Sequence, residues 1–366
     1  MINLHSLTEL LRFDAFLAGL VAFAICTALV LTKSWHGGFS MDSTYGVQKV
    51  HLAPTPRIGG VGIAIGVLVG FAASSQDPLA AEKRAILSGI ILAGIPAFVF
   101  GLLEDLTKRV SVRARLLATM GSGLLGWGVT GVTLNEVGIP GVDWLLGFTA
   151  VAVLLTAFAV GGIANAINII DGFNGLAAGA VLIMLAAFGI IARQVGDIPL
   201  AFSCLMIAGA VLGFLLVNWP LGKIFLGDGG AYFLGFALAW IAILLPDRNP
   251  SVSPWTSLLI CAYPILEVAT SYIRRARRDG HHPGQPDRLH LHHLIHGRLV
   301  RPWFRGVPRH YHNGLTAPFC WALVAVPAGL AVVTRGHAPW ALLAAVLLFV
   351  AVYAATYWRL LRFRWF

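Results

Sequence analysis

Eleven apolar runs constrain this chain more than any other feature of its sequence. Each run has 17 to 20 residues, the length that an α-helix needs to cross the hydrocarbon core of a membrane. Only 11% of the residues are charged, against about 25% in soluble domains. The sequence therefore predicts an all-α, polytopic membrane protein with about eleven transmembrane helices, ten being the alternative, in a single integral membrane domain over 1–366. The runs are 15–32, 58–74, 85–103, 116–132, 147–164, 176–192, 199–218, 230–246, 255–273, 315–333 and 339–358.

The basic residues predict the orientation of the chain. Eleven spans place 20 of the 26 Lys and Arg residues in the segments after the odd-numbered runs and six on the other side. Short loops rich in Lys and Arg stay in the cytoplasm. We therefore expect a periplasmic N-terminus, a cytoplasmic C-terminus and a multi-pass protein of the bacterial inner membrane. The net charge of +10 follows mainly from this topology, so nucleic acid is not an expected partner.

One predicted cytoplasmic loop, 165–175, carries amides and a carboxylate between two apolar runs. Asn165, Asn168 and Asp171 recur every three residues, so they project to one side of a helix end. Polar groups at the edge of a membrane usually mark a substrate or ion path. A polar contact between helices is the alternative interpretation.

Two further cytoplasmic loops place carboxylates directly beside apolar runs. Glu104 and Asp105 open the loop 104–115, and Asp228 lies between glycines in the loop 219–229. Adjacent acids can hold a divalent cation or accept a proton, and a glycine-rich helix start can expose N–H groups to an anion. A surface salt-bridge network and a capping aspartate are the alternatives.

The remaining cytoplasmic loops, 33–57 and 274–314, are basic. Three histidines within four residues of the second loop suggest zinc, but they lack an accompanying Cys and the His-x-x-x-His spacing, so phosphate binding is the preferred interpretation. Glu267 lies seven residues before Arg274 on the same helix face, and we expect it to orient that arginine. The candidate phosphate-binding residues of the two loops are Lys49, Arg57, Arg288, His290, His292 and His293.

Taken in order, these motifs resemble the polyprenyl-phosphate N-acetylhexosamine-1-phosphate transferase family, of the glycosyltransferase 4 type. The resemblance covers roughly 48–293 and rests on Asn-x-x-Asn-x-x-Asp-Gly at 165–172, Phe-Leu-Gly-Asp-Gly at 225–229 and Asp-x-x-His-x-His-His at 287–293. It favours the bacterial undecaprenyl-phosphate GlcNAc-1-phosphate transferase branch. It implies a Mg²⁺-dependent enzyme that moves N-acetylhexosamine-1-phosphate from a UDP-sugar to undecaprenyl phosphate at the cytoplasmic face and releases UMP. UDP-GlcNAc is the commonest donor in this branch, and the product starts O-antigen or another cell-envelope polysaccharide.

The resemblance also implies roles for particular residues. Asp228, with Asn168 or Asp171 beside it, would hold Mg²⁺, for which Mn²⁺ can substitute. Two positions depart from the family pattern: Glu104 replaces an aspartate, and Asn174 stands where some members carry a second aspartate in the Asp-Gly motif. The resemblance leaves open whether the protein forms a homodimer. The implied catalytic residues are Glu104, Asp105, Asp171, Asp228 and His290. The implied substrate-binding residues are Lys49 and Arg115 for the lipid phosphate, Phe225 for uracil, Arg288, His292 and His293 for the diphosphate, and Asn165 and Asn168.

The acceptor chemistry favours a direct attack by the lipid phosphate. A phosphate monoester has a second pKa of about 6, so it is largely a dianion at neutral pH and needs little activation. Asp105 would then position the acceptor or take its last proton. The alternative functions are a secondary transporter of an anionic solute and an intramembrane aspartyl protease that uses Asp171 and Asp228.

Overall fold

The computed structural model of the chain describes residues 13–42, 54–74, 80–276 and 289–362. These residues form helices almost throughout, with one short antiparallel pair of strands and one π-helical turn, His296–Val300. In chain order the elements are α1 (Phe13–Leu31), α2 (Lys33–Ser40), β1 (Met41–Asp42), β2 (Thr55–Pro56), α3 (Gly59–Ala73), α4 (Ala80–Thr107), α5 (Val112–Thr130), α6 (Pro140–Leu146), α7 (Thr149–Ile170), α8 (Leu176–Gln194), α9 (Ile198–Asn218), α10 (Gly227–Arg248), α11 (Pro254–Ile260), α12 (Ala262–Ala276), α13 (Leu291–Ile295), α14 (Arg301–Trp303), α15 (Arg309–Thr334) and α16 (Pro339–Arg362).

Each of the eleven apolar runs coincides with helix, because a helix is the element that pairs its own main-chain groups in a medium without water. Among the described residues, eight helices are long and apolar enough to cross a membrane: α1, α4, α7, α8, α9, α10, α15 and α16. The pair α11 and α12, bent by 73°, makes a ninth if it is counted as one span. Helix α3 is shorter and α5 is less apolar. The multi-pass prediction is confirmed, the number eleven is not, and the orientation of the termini stays a prediction.

Helix α10 lies at the centre of the bundle. Of its most apolar stretch, 94% is buried inside the protein, and it packs against α3, α4, α5, α7 and α8. At its N-terminal end the backbones of α3 and α10 touch, since a Cβ added to Gly60 would lie 2.4 Å from the Gly230 nitrogen. This contact leaves room only for glycine. It brings the loops that precede α3 and α10 to the same end of the bundle.

Main-chain hydrogen bonds hold those two loops together. The Phe225 N–H donates to the Pro56 carbonyl over 2.8 Å, and the Gly59 N–H donates back to the Phe225 carbonyl over 2.9 Å. The Gly60 N–H donates to the Leu226 carbonyl in the same way, also over 2.9 Å. Residues 56–60 are thereby fixed against the segment that begins α10.

Candidate active site

The Asp228 carboxylate is the point at which four segments of the chain meet. It lies in the first turn of α10, and the residue is 1% exposed. One of its oxygens accepts hydrogen bonds from Arg57, which precedes α3, and from the Asn168 side chain of α7, the latter over 3.0 Å. The other oxygen accepts a hydrogen bond from Arg115 of α5. Two guanidinium groups and an amide therefore surround one buried carboxylate, the kind of group that is kept in a protein interior only when it is paired.

Asp105, near the end of α4, accepts hydrogen bonds from the backbone at Asp228. Its two carboxylate oxygens accept the N–H groups of Asp228 and Gly229, each over 2.9 Å, and Arg57 Nε lies 3.2 Å from one of them. A negative charge is favourable at the N-terminus of a helix, where the N–H groups have no partner in the helix. Gly227 has a φ of +78°, and a Cβ there would lie 2.6 Å from the Asp105 carboxylate. Asp105 thus fixes the first turn of α10.

Two other candidates make their hydrogen bonds elsewhere. The Glu104 carboxylate accepts the Val110 N–H over 2.8 Å and so closes the turn after α4. The Asn165 side chain donates to the main-chain carbonyl one turn earlier in α7, over 2.8 Å, and to the Thr119 hydroxyl of α5 over 3.5 Å. The bond of Glu104 supports the turn after α4, whereas the next residue, Asp105, bonds to the first turn of α10. The bonds of Asn165 support the packing of α7 on α5.

Asp171 follows the end of α7 and belongs to the same group of charges. Burial raises its pKa to about 7; the nearby Arg57 opposes this rise, while the carboxylates of Asp228 and Asp105 add to it. This half-buried carboxyl therefore keeps its proton to a higher pH than an ordinary aspartate does. A cation placed beside it would displace that proton.

His290 and His292 gather around a second buried carboxylate, Glu267 of α12. His290 Nδ1 lies 3.3 Å from one carboxylate oxygen, and His292 Nδ1 lies 3.5 Å from the other. Arg274, which the sequence suggested as the partner of Glu267, donates to the Leu289 carbonyl over 3.0 Å and to the Tyr357 hydroxyl over 2.5 Å. The structure therefore gives Glu267 different partners, supplied by the segment that folds back after α12.

Phe173 joins this histidine pair to the loop that carries Asp171. Its ring centroid lies 5.7 Å from that of His292, 5.2 Å from that of His293 and 4.9 Å from that of His296. On the same loop, a Cβ added to Gly172 would lie 3.3 Å from His292 Nε2. The histidine motif and the Asp-Gly motif are therefore in direct contact. Phe173 was not among the candidate residues, although its place inside the Asp-Gly-Phe-Asn-Gly string was a signal.

Asn174 makes its hydrogen bonds within the fold. Its N–H donates to the Asn313 side chain over 2.7 Å, and its side-chain amide donates to the Pro220 carbonyl over 3.0 Å. The residue is 7% exposed. The side chain at which some family members carry an aspartate therefore joins the loop after α7 to the turn that precedes α10.

Of the remaining candidate residues, the structure describes Phe225 and Arg57. Phe225 is half-buried, with its main chain bonded to the segment before α3. Lys49 and Arg288 lie outside the described residues. Within the described part of the chain, no group of three or more His, Cys, Asp and Glu side chains has the arrangement of a metal site. Arg57, which the sequence suggested only as a phosphate contact, instead bridges Asp105 and Asp228.

Comparisons with known proteins agree with the motifs. A family model described as "Glycosyl transferase family 4" matches residues 87–246. The undecaprenyl-phosphate alpha-N-acetylglucosaminyl 1-phosphate transferase of Yersinia pestis is 31% identical over 253 residues, which cover 68% of this chain and 67% of that protein. The decaprenyl-phosphate N-acetylglucosaminephosphotransferase of Mycobacterium leprae is 32% identical over 68% of both chains. A probable undecaprenyl-phosphate N-acetylglucosaminyl 1-phosphate transferase of Bacillus subtilis is 30% identical over 77% of this chain and 76% of that protein. The resemblance drawn from the motifs is confirmed, and the chain belongs to glycosyl transferase family 4, a family of membrane-embedded sugar-phosphate transferases.

Proposed function

We propose that the protein transfers N-acetylhexosamine-1-phosphate from a UDP-sugar to undecaprenyl phosphate at the cytoplasmic face of the inner membrane and releases UMP. UDP-GlcNAc is the donor that we would test first, because the three relatives are named for N-acetylglucosamine. The product would start O-antigen or another cell-envelope polysaccharide. The observation that carries this proposal is the convergence of Asp228, Asp105, Arg57, Arg115 and Asn168 at one end of a bundle of apolar helices.

The charge balance of this group supports a role for a divalent cation. The carboxyl groups of Asp105, Asp228 and Asp171 are offset by the guanidinium groups of Arg57 and Arg115 and by the ammonium of Lys108, whose Nζ donates to the Asp105 carbonyl. A UDP-sugar and a lipid phosphate each bring about two negative charges to such a site. Two anionic substrates therefore need more positive charge than the described residues supply.

The side-chain oxygens around the N-terminal end of α10 fit Mg²⁺. This ion prefers one or two carboxylates together with water and phosphate oxygens, so a cluster of three protein ligands is not required. Asp228, with Asn168 or Asp171 beside it, would hold it, and Mn²⁺ would substitute. When bound, the cation would neutralise the diphosphate and the departing UMP.

The remaining roles follow from position and charge. Arg115 would exchange its contact with Asp228 for the lipid phosphate, since a guanidinium binds phosphate as readily as carboxylate. The half-buried Phe225 would stack on uracil, and the histidines would hold the diphosphate. Lys49 and Arg288 keep the roles that the resemblance implies, for the lipid phosphate and the diphosphate.

The contacts of Asp105 support a direct attack of the lipid phosphate on the sugar-bearing phosphorus. Both carboxylate oxygens of Asp105 already accept main-chain N–H groups, which a covalent phospho-aspartate would have to give up. The acceptor phosphate is a dianion and needs no activation by a strong base. We therefore assign Asp105 the task of positioning. Recovery of a protein phosphorylated at Asp105 after incubation with donor alone would contradict this assignment.

The proposed reaction is tested by UMP release from UDP-GlcNAc in detergent, with and without undecaprenyl phosphate and EDTA. We expect release that needs the acceptor, stops with EDTA and is lost in Asp228→Asn. The matched control is Asp143→Asn, because Asp143 only accepts the Val137 N–H at the start of α6 and an amide can do the same. Activity of Asp228→Asn near that of Asp143→Asn at saturating Mg²⁺ would remove Asp228 from the cation site.

The geometry disfavours an aspartyl protease. Such an enzyme needs two carboxyl groups that share a proton and face the substrate. Both oxygens of Asp228 are instead engaged by Arg57, Arg115 and Asn168. Peptide hydrolysis without UMP release would reverse this choice.

A further inference from the structure

The Glu267 carboxylate is buried and surrounded by hydrogen-bond donors. The residue is 1% exposed, and four groups reach its two oxygens. One oxygen accepts a hydrogen bond from the Tyr263 hydroxyl over 3.1 Å, and His292 Nδ1 lies 3.5 Å from it, within the distance of an ion pair but without the geometry of a hydrogen bond. The other has His290 Nδ1 at 3.3 Å and the Leu291 N–H at 3.3 Å. A carboxylate so far from water is stable only while these donors stay in place.

Both histidines use the same ring nitrogen for this contact. Because Nδ1 of each ring faces Glu267, Nε2 of each ring is directed away from it. The rings of His290 and His292 are parallel, with an interplanar angle of 5° and centroids 5.2 Å apart. Of the two Nε2 atoms, that of His292 lies beside Gly172 in the loop that carries Asp171.

We propose that Glu267 is a positioning residue, which orients His290 through a hydrogen bond to Nδ1 and His292 through the attraction of its charge for Nδ1–H, so that both rings present Nε2 to the donor diphosphate beside the Asp171 loop. A carboxylate behind an imidazole fixes its tautomer and stabilises the imidazolium, whose Nε2–H can donate to a phosphate oxygen. This inference rests on the proposed function, because it assigns the donor to that site.

The third histidine of the motif differs from the pair. Burial and the neighbouring imidazoles of His292 and His290 lower the pKa of His293 to about 3, so this ring is neutral at pH 7. Its ring packs against Phe173. The motif therefore contains two histidines beside a carboxylate and one whose ring packs against both of them and against Phe173.

The first test reads the protonated nitrogen directly in the wild-type protein. Nitrogen NMR of ¹⁵N-histidine-labelled protein in detergent at pH 7 distinguishes Nδ1–H from Nε2–H tautomers. His290→Gln and His292→Gln would assign the two signals among the twelve histidines. We expect Nδ1 to be protonated in both rings. A neutral Nε2–H tautomer in either ring would overturn the proposal, whatever the activity of any variant.

The second test removes the carboxylate with Glu267→Gln, which keeps the shape of the side chain. One carboxamide oxygen cannot serve donors on both sides, so we expect at least one histidine to lose its Nδ1–H form. We also expect kcat/KM for UDP-GlcNAc to fall about 10–100-fold, the range found when a carboxylate behind a metal-bound histidine is removed. The KM for undecaprenyl phosphate should stay within about twofold, and Glu267→Asp should recover part of the loss. Glu82→Gln, an exposed acid paired with Arg248, is the control.

The outcomes separate this inference from the proposed function. Unchanged tautomers in Glu267→Gln, or an equal loss for donor and acceptor, would show that Glu267 only supports the fold. If instead His290→Gln and His292→Gln leave the donor KM unchanged, the assignment of the diphosphate to these histidines fails. The tautomers in the wild-type protein would still decide whether Glu267 directs them.

Discussion

Replacing Asp105 by Asn tests whether this carboxylate positions Asp228 or acts mainly as a base. In the structure its two oxygens accept the N–H groups of Asp228 and Gly229, each over 2.9 Å, and the residue is 1% exposed. A carboxamide has one oxygen, so its NH₂ group would face one of these two donors. The substitution therefore leaves a buried main-chain N–H without an acceptor.

The expected loss of stability is the sum of two effects. A buried donor without a partner costs about 1–3 kcal/mol. Removing a negative charge from the N-terminus of α10 adds about 0.3–1 kcal/mol. Arg57 adds little, because it keeps Asp228 as a partner. The total of about 1.3–4 kcal/mol corresponds to a melting temperature lower by about 3–8 °C, at about 2 °C per kcal/mol for a chain of this size.

Thermal melting in detergent, followed by tryptophan fluorescence, measures this loss. The matched control is Glu104→Gln, since Glu104 accepts a single N–H from Val110 and a carboxamide oxygen can do the same. We expect the control to melt within about 1 °C of the wild type, because such a change costs little. A variant Asp105→Asn that melts with the control but has lost its kcat would refute the positioning role and favour a base.

Three further predictions concern the same end of the bundle. Between pH 4 and pH 7 the free energy of unfolding of the wild type, measured relative to that of Asp171→Asn, should fall as pH rises, because native Asp171 keeps a proton that the unfolded chain has released; the lowered pKa of His293 gives a slope of opposite sign in both proteins, so melting without divalent cations is compared between the two. Gly60→Ala should give little folded protein, because its Cβ would lie 2.4 Å from the backbone of α10, whereas Gly121→Ala, with open space around its Cβ, should melt at or above the wild-type temperature; equal yields of the two monodisperse variants would contradict the close contact. Asn174→Asp should lose about 1–3 kcal/mol, because a carboxylate cannot donate to the Pro220 carbonyl, and a change in donor preference at unchanged melting temperature would contradict this reading.

The helical architecture could be predicted because it depends on local composition. A run of 17 to 20 apolar residues has few alternatives to a spanning helix, and all eleven runs are helical. The number of spans depends on finer properties. Helix α3 has only 15 residues, and α11 and α12 bend by 73° within one apolar run. Length and hydropathy along the chain do not distinguish a continuous span from such a pair.

The convergence of the motifs could also be predicted, but their pairings could not. Spacing along the chain suggested that Glu267 faces Arg274, seven residues later. Seven residues rise about 10.5 Å along a helix, which is too far for a direct ion pair unless both side chains lean toward each other. The partners of Glu267 come instead from His290 and His292, across a segment that folds back. Likewise, Arg57 reaches Asp228 across 171 positions of sequence, and only the packing of α3 on α10 brings them together.

Asp105 and Glu267 hold the two halves of the site by the same physical means. Each is a buried carboxylate that accepts main-chain N–H groups from the start of a helix. Asp105 accepts those of Asp228 and Gly229 in α10, and Glu267 accepts that of Leu291 in α13. In each case the segment carries the groups proposed to meet the substrates, and the carboxylate is about as buried as a hydrophobic core residue. Away from water, a charge that must keep its donors fixes them more firmly than a neutral acceptor would. The two acids therefore determine where Asp228 and the histidine pair lie before any substrate arrives. Loss of either should disorder one half of the site and leave the contacts of the other half in place.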